Sequence, residues 1–147
     1  MKPIFQSIQK QIIACLQKET AFQSLAIVPE SFDFLEKLKT KAVSLAPLKL
    51  YVSIPFPLET AVNVSALCWE KLSLYCTLIS NRFNIEKAAF LDLSESICYF
   101  MAHKYFNQDQ WEGCFILDPK NPWKWLDIDN GLGLQMHFIT SQFSQLF

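Results

Sequence analysis

Glycine is scarce in this chain: Gly113, Gly131 and Gly133 are the only three in 147 residues. Loops that cradle phosphate need glycine so that the backbone can approach the ligand. Neither G-x-G-x-x-G nor a P-loop can be written from these positions, which excludes both common types of nucleotide enzyme. Charge of either sign is also sparse. The net charge is −1, and no Lys/Arg run supplies a local footprint for DNA or RNA. No stretch approaches 18 uninterrupted apolar residues, so no membrane span is expected. The two histidines, His103 and His137, have no cysteine or carboxylate near them at ligand spacing, so neither a zinc site nor any other metal or cofactor is expected. Five scattered cysteines without a C-x-x-C pair read as reduced, mostly buried thiols of a cytoplasmic protein. No G-x-S-x-G elbow occurs and no serine stands beside either histidine, so the sequence carries no catalytic signature.

What the chain does have is apolar and aromatic material. Hydrophobic residues make up 51% and charged residues 18% of the chain, the latter below the usual share of about 25%. Thirteen Phe and four Trp exceed what a small core needs, which points to subunit contacts. The length fits a single domain over residues 1–147, able to bury roughly 68–70% of its unfolded surface.

The clearest pattern spans Leu72 to Phe106. Leu72, Leu74, Cys76 and Leu78 alternate with Lys71, Ser73, Tyr75 and Thr77, the period of a half-buried strand. After the corner Ser80-Asn81-Arg82-Phe83-Asn84 the period becomes helical. Asn84 is the expected N-cap, with Glu86 in the first turn. Ala89, Leu93, Ile97, Phe100 and Met101 form the expected buried stripe, and Asp92, Glu95, Tyr99 and His103 another flank. Before this unit, Phe5, Ile8, Ile12 and Leu16 predict an amphipathic helix over 4–18. Ile12-Ile13-Ala14-Cys15 imitates a lipoprotein cleavage site, but Gln6, Gln9, Lys10 and Gln11 interrupt the apolar run that such a signal requires. Ser31 is placed to cap a second helix through Ala42, and Leu48, Leu50, Val52 and Ile54 predict a strand stopped by Pro55. After the long helix come a β-prone Phe115-Ile116-Leu117, a turn at 118–122 and a strand from Trp123 to Ile128. A hairpin turn at Asp129-Asn130-Gly131 then leads into a closing strand from Leu132 to Phe143. The expected architecture is α+β: an antiparallel sheet with amphipathic helices packed on one face.

Several residues are candidates for function. Phe56, in the stiff Pro55-Phe56-Pro57 connection, and Trp123, after Pro122, are aromatic side chains on proline-restricted loops suited to a partner interface. His137 alternates with Met136 and Phe138 and is expected on the outer face of its strand. The closing strand has His137 as its one ionisable group, which makes it a candidate pairing edge. His103, with Tyr99 one turn before it and Asp92 on the same flank, is the one place where an acid/base pair could be drawn. Asp127-Ile128-Asp129-Asn130-Gly131 imitates the opening of a calcium loop, but Phe138 stands where the twelfth-position Glu belongs.

Taken together, the Ile-Val-Pro opening at Ile27, the strand ending in the 80–84 corner, the helix ending in Met101-Ala102-His103, and the final Phe138-Ile139-Thr140 resemble a protein family. It is that of prophage-encoded tail-terminator or minor tail proteins of long-tailed bacteriophages. The family pattern has a Glu-Asn pair at the corner, where this chain has Ser80-Asn81, and more glycine in its loops. The resemblance implies a non-enzymatic structural subunit of a tail or head–tail junction, assembling with itself, as a ring, and with other tail proteins. Such a subunit would be cytoplasmic, and virion-associated where the phage element is active. The alternatives are a cytosolic adaptor or chaperone-like module holding a partner segment in a groove between helices and sheet, and, in third place, a hydrolase using His103.

Overall fold

The longest strand, and the one the sheet is built around, is the last. In a computed structural model describing residues 4–30, 48–54, 61–63, 68–81, 86–108, 111–126 and 131–145, the elements run in the following order. Helix α1 (Ile4–Lys18) is followed by a 3-10 turn (Thr20–Phe22), then β1 (Ala26–Pro29), β2 (Lys49–Ser53), β3 (Ala61–Asn63), β4 (Cys68–Lys71) and β5 (Ser73–Asn81). Helix α2 (Lys87–His103), β6 (Tyr105–Asn107), β7 (Trp111–Leu117), β8 (Trp123–Trp125) and β9 (Gly131–Gln145) complete the order. Seven strands form one sheet in the order β1-β2-β5-β9-β7-β6, with β8 also paired to β9, while β3 and β4 form a separate pair.

The α+β class holds, with one correction to the sheet. It is mixed rather than antiparallel: β1 lies parallel to β2, Ile27 opposite Leu50, and every other pairing is antiparallel. A parallel pair needs a crossover of a dozen or more residues, and the stretch 30–48 between these two strands is long enough to provide one. Most of the closing strand is likewise no edge. β9 carries β5 along one side up to Ile139 and β8 and β7 along the other, so its middle, around His137, is paired on both sides and has no exposed backbone to defend, while beyond Thr140 its strand partner is β7.

One face of the sheet and one face of each helix share a single core. Leu50 and Val52, Leu74, Cys76 and Leu78, and Leu134, Met136 and Phe138 sit on the same side by alternation and are buried. Ile8, Ile12 and Leu16 cover them from α1, and Phe90, Ile97 and Met101 from α2. The helical face differs in detail from the expected stripe. Ala89 is exposed, Leu93 and Phe100 are half-buried, and Phe90 with Ser94 lies innermost. The buried face thus keeps Ile97 and Met101 but turns from Ala89, Leu93 and Phe100 towards Phe90 and Ser94, and Ser94 tolerates burial because its hydroxyl donates back to the Phe90 carbonyl at 2.9 Å. The N-cap is Glu86, whose backbone is extended and whose side chain makes no capping bond. Asn84 and the helix expected from Ser31 lie outside the described residues.

Two of the glutamines that break the apolar run of α1, Gln9 and Gln11, have structural roles. Gln9 Nε2 donates to the Glu30 carbonyl at 3.1 Å and to the Val52 carbonyl at 2.6 Å, while the Glu30 N–H donates to the same Val52 carbonyl. Gln11 Oε1 accepts from the indole Nε1 of the buried Trp111. Gln9 therefore fastens the helix to the β1–β2 side of the sheet and Gln11 fastens it to β7.

Cys76 is fully buried in this core, and burial, with the neighbouring Cys98, pushes its thiol far above the ordinary range. Cys98, half-buried on α2, is raised by burial and by the Glu95 carboxylate to about 11. Both thiols stay protonated in the folded chain at a pH where the unfolded chain ionises them. Their effect on stability is therefore constant below the ordinary value of 9.0 and unfavourable above it. Stability should fall above pH 9.0 by about 1.4 kcal/mol per pH unit for the fully buried thiol. Urea midpoints measured from pH 8 to 11 should show this decline, and Cys76→Ala should flatten it; an equally steep decline in the variant would assign it to other groups.

Candidate functional site

The first place where polar groups converge lies where β7 hands over to β8. The two strands run the same way along β9, and the residues between them leave the sheet and return. Continuing the β8–β9 register straight through would set Leu117 opposite Gln142, but Leu117 pairs with Phe138, four residues earlier. The excursion closes around His137. The Asp118 N–H donates to the His137 carbonyl and the His137 N–H to the Pro122 carbonyl, each at 2.9 Å. Asp118 Oδ1 also accepts from the Lys120 N–H at 2.9 Å, a turn that Asp favours. This geometry brings Asp118 Oδ2 to 3.0 Å from His137 Nδ1, and the imidazole lies flat on Tyr75, ring centroids 4.3 Å apart.

A carboxylate on Nδ1 of a histidine is the arrangement that orients a general base in hydrolases. Here the opposite nitrogen, Nε2, which would serve a substrate in that arrangement, is shut off from solvent. The visible effect of the pair is to pin the excursion. His137 faces away from the Met136 and Phe138 core, as alternation requires, but its side chain is only 13% exposed. It is therefore less available to a partner than a free surface histidine.

The second feature is the β8 edge. Trp123 and Trp125 are 56% and 47% exposed, and among the described residues β8 has no strand on its other side. Their register opposite Met136 and Leu134 puts both indoles on the core side, where they extend the apolar surface past the end of the core. Trp125 is held from behind by Phe90, centroids 6.3 Å apart, and by Lys87, whose ammonium lies 5.6 Å from the ring centroid. Of the expected interface residues, Trp123 is thus exposed, His137 largely covered, and Phe56 outside the described residues.

The third is a groove of about 710 Å³ between the 3-10 turn and α2. Phe22 and Phe100 meet edge to face within it, centroids 5.8 Å apart, and Glu19, Asp92 and Glu95 border it. His103 is at its far end. The Nδ1–H of His103 donates to the Tyr99 carbonyl at 2.9 Å, and its ring stacks on that of Tyr99 at 4.0 Å. Asp92 and His103 do share this groove, but eleven helical residues separate them by about 16 Å along the axis. They form no pair. Among the described residues no three His, Cys, Asp or Glu side chains gather as a metal site would require, and no helix is long and apolar enough to cross a membrane.

Sequence reasoning identified Trp123 but missed Trp125, Lys87 and the Asp118–His137 contact. The last joins residues from two strands through a register shift that no local spacing encodes. No protein-family model matches the sequence, and neither does any curated protein.

Proposed function

We propose that this chain is a non-enzymatic structural subunit of a phage tail or head–tail junction, similar to a tail terminator, that acts by assembling with copies of itself and with other tail proteins. The observation that supports it most is the β8 edge: two tryptophans, each about half exposed, on a short strand with an open side. Exposed indoles on an edge invite aggregation in a protein meant to stay alone and supply contact area in one meant to assemble. Trp125 is held against Phe90 and both tryptophans stand on a strand paired to β9, so ordering them at an interface costs little entropy. The covered Nε2 of His137 and the separation of Asp92 from His103 are consistent with a structural role.

The test is mass in solution at rising concentration, for the wild type and for Trp123→Asp and Phe56→Asp. The wild type should form higher species that Trp123→Asp reduces by at least tenfold in apparent affinity. A chain that stays monomeric throughout, and whose substitutions alter binding to no tail component, would remove the assembly reading. The groove beside α2 favours a second reading, an adaptor that holds a partner segment. A stable monomer that binds a foreign peptide in that groove would establish it.

A further inference from the structure

Hydrogen bonds at the two ends of β8 fix which way its backbone faces. The His137 N–H donates to the Pro122 carbonyl and the Leu126 N–H to the Gly133 carbonyl, each at 2.9 Å. Bonded and non-bonded pairs alternate along an antiparallel ladder, so Lys124, opposite Gln135, turns its own N–H and C=O to β9. Trp123 and Trp125, opposite Met136 and Leu134, form the non-bonded pairs and turn theirs the other way. That side carries no strand among the described residues, which leaves two donors and two acceptors of the main chain facing outwards in a row. The side chains divide as well. Both indoles stand on the core face of the strand, and Lys124 stands on the opposite face, exposed, with the neutral Gln135 across from it.

A row of main-chain groups at that spacing is satisfied by an extended chain. Two residues of an antiparallel strand, set opposite Trp123 and Trp125, supply two N–H and two C=O groups in return. A helix has no such row to offer, because its backbone groups are already bonded to one another. Paired residues point to the same face, so the side chains of those two residues lie beside the indoles and the side chain between them lies beside Lys124. The edge therefore asks for apolar side chains at alternate positions and for negative charge at the position between.

We infer that the open side of β8 receives an extended segment of another protein by strand addition, the segment reading apolar-acidic-apolar with its carboxylate opposite Lys124. The inference rests on the assembly reading above and gives a chemistry to one of its two kinds of partner. Lys124 argues against a second copy in the same place. Two β8 strands paired about a twofold axis through their middle residue would set Lys124 directly against Lys124 of the partner subunit, and like charges so placed are destabilising. A lysine on a short edge strand is a common guard against such pairing. A carboxylate opposite the same lysine reverses the sign, so one residue both rejects the copy and selects the partner.

The experiment titrates the full-length chain with capped synthetic nonapeptides that differ at their centre: Val-Glu-Val, Val-Lys-Val, and Val-Glu-Val with both valine nitrogens methylated. At low salt the Val-Glu-Val peptide should bind the wild type about fivefold more tightly than Val-Lys-Val, and Lys124→Glu should invert that order. Methylation removes the two donors aimed at the Trp123 and Trp125 carbonyls and should weaken binding at least tenfold. Amide exchange at Trp123 and Trp125 should slow at saturation, whereas exchange at Lys124, already bonded to β9, should not change. Circular dichroism checks that the variant is folded. Equal binding of the methylated peptide, or Trp123 and Trp125 amides left unprotected, would overturn strand addition. An order that Lys124→Glu leaves unchanged would overturn the acidic assignment. If no peptide binds while the wild type associates with itself and Trp123→Asp weakens that association, a second copy occupies the edge: the assembly reading stands and this inference falls. If the wild type binds neither peptide, nor itself, nor a tail component, both fall.

Discussion

Trp111→Ala should cost about 3–5 kcal/mol, a large part of the 5–15 kcal/mol that holds a typical domain together. Trp111 is fully buried between the sheet and α1. Its ring lies near those of Phe106, Phe115 and Phe143, at centroid distances of 5.6, 6.5 and 5.9 Å. Truncation therefore opens a cavity among three aromatic rings that cannot collapse together, because all three sit on paired strands. It also deprives Gln11 Oε1 of its donor, which leaves a polar atom facing an apolar hole. The two contributions can be separated. Trp111→Phe keeps most of the packing and loses the N–H, so it should cost about 1–3 kcal/mol, and Gln11→Leu in that background should recover part of it. Thermal or urea unfolding measures each, and no recovery in the double variant would mean that the indole contributes by packing alone.

Gly113→Val should be nearly as damaging for the opposite reason. Residue 113 pairs with Phe143 just beyond an irregularity in the β7–β9 ladder, where Cys114 lies opposite Gln142 and Phe115 opposite Thr140, so that Ser141 is the extra residue. This bulge restores Phe143 to the core side after a run that would have turned it outwards. It also brings the β9 backbone across position 113: a Cβ there would meet the Gln142 carbonyl oxygen and, at 3.2 Å, the Phe143 Cα. Both are main-chain atoms that cannot swing aside, so an added side chain must displace the strand. Overpacking of this kind costs about 1–3 kcal/mol, and β-branching places it at the upper end. Urea unfolding of Gly113→Ala and Gly113→Val should show the smaller substitution already destabilising. A midpoint for Gly113→Ala equal to the wild type would mean that the bulge yields freely.

How far the sequence revealed the fold depended on whether a pattern was local. The alternations through Leu50 and Val52 and through Leu74, Cys76 and Leu78 located two central strands, because a period of two persists over enough residues to be read. The long helix was found for the same reason, but its rotation was not. Leu93 was expected among the innermost residues and is half-buried, while Phe90 and Ser94 took the inner positions. A serine on the buried face defeats a reading based on polarity, since its bond to the Phe90 carbonyl is invisible in the sequence. β6, only Tyr105–Asn107, is too short to show any period. The parallel pairing of β1 with β2 and the meeting of Asp118 with His137 arise from topology and register, which local patterns do not determine. At the β8 edge, Trp123 stood out for its proline neighbour, whereas the support given to Trp125 by Lys87 and Phe90 comes from an element far away in the chain.

The place of β9 in the sheet bears on how the protein is made. Every strand that β9 joins, β5, β7 and β8, leaves the ribosome before it, and none can close the sheet without it. Residues 73–81 and 111–117 must therefore wait during translation with one long side each unpaired, and 123–125 without a strand partner, so the helices are the parts able to form early. Ribosome-stalled chains ending before residue 131 should be protease-sensitive and bound by holding chaperones, and should become resistant together once β9 is out of the tunnel. Completion of the sheet therefore waits for the last of these strands to be made, and few copies with a finished β8 edge are available to meet one another before their own cores have closed.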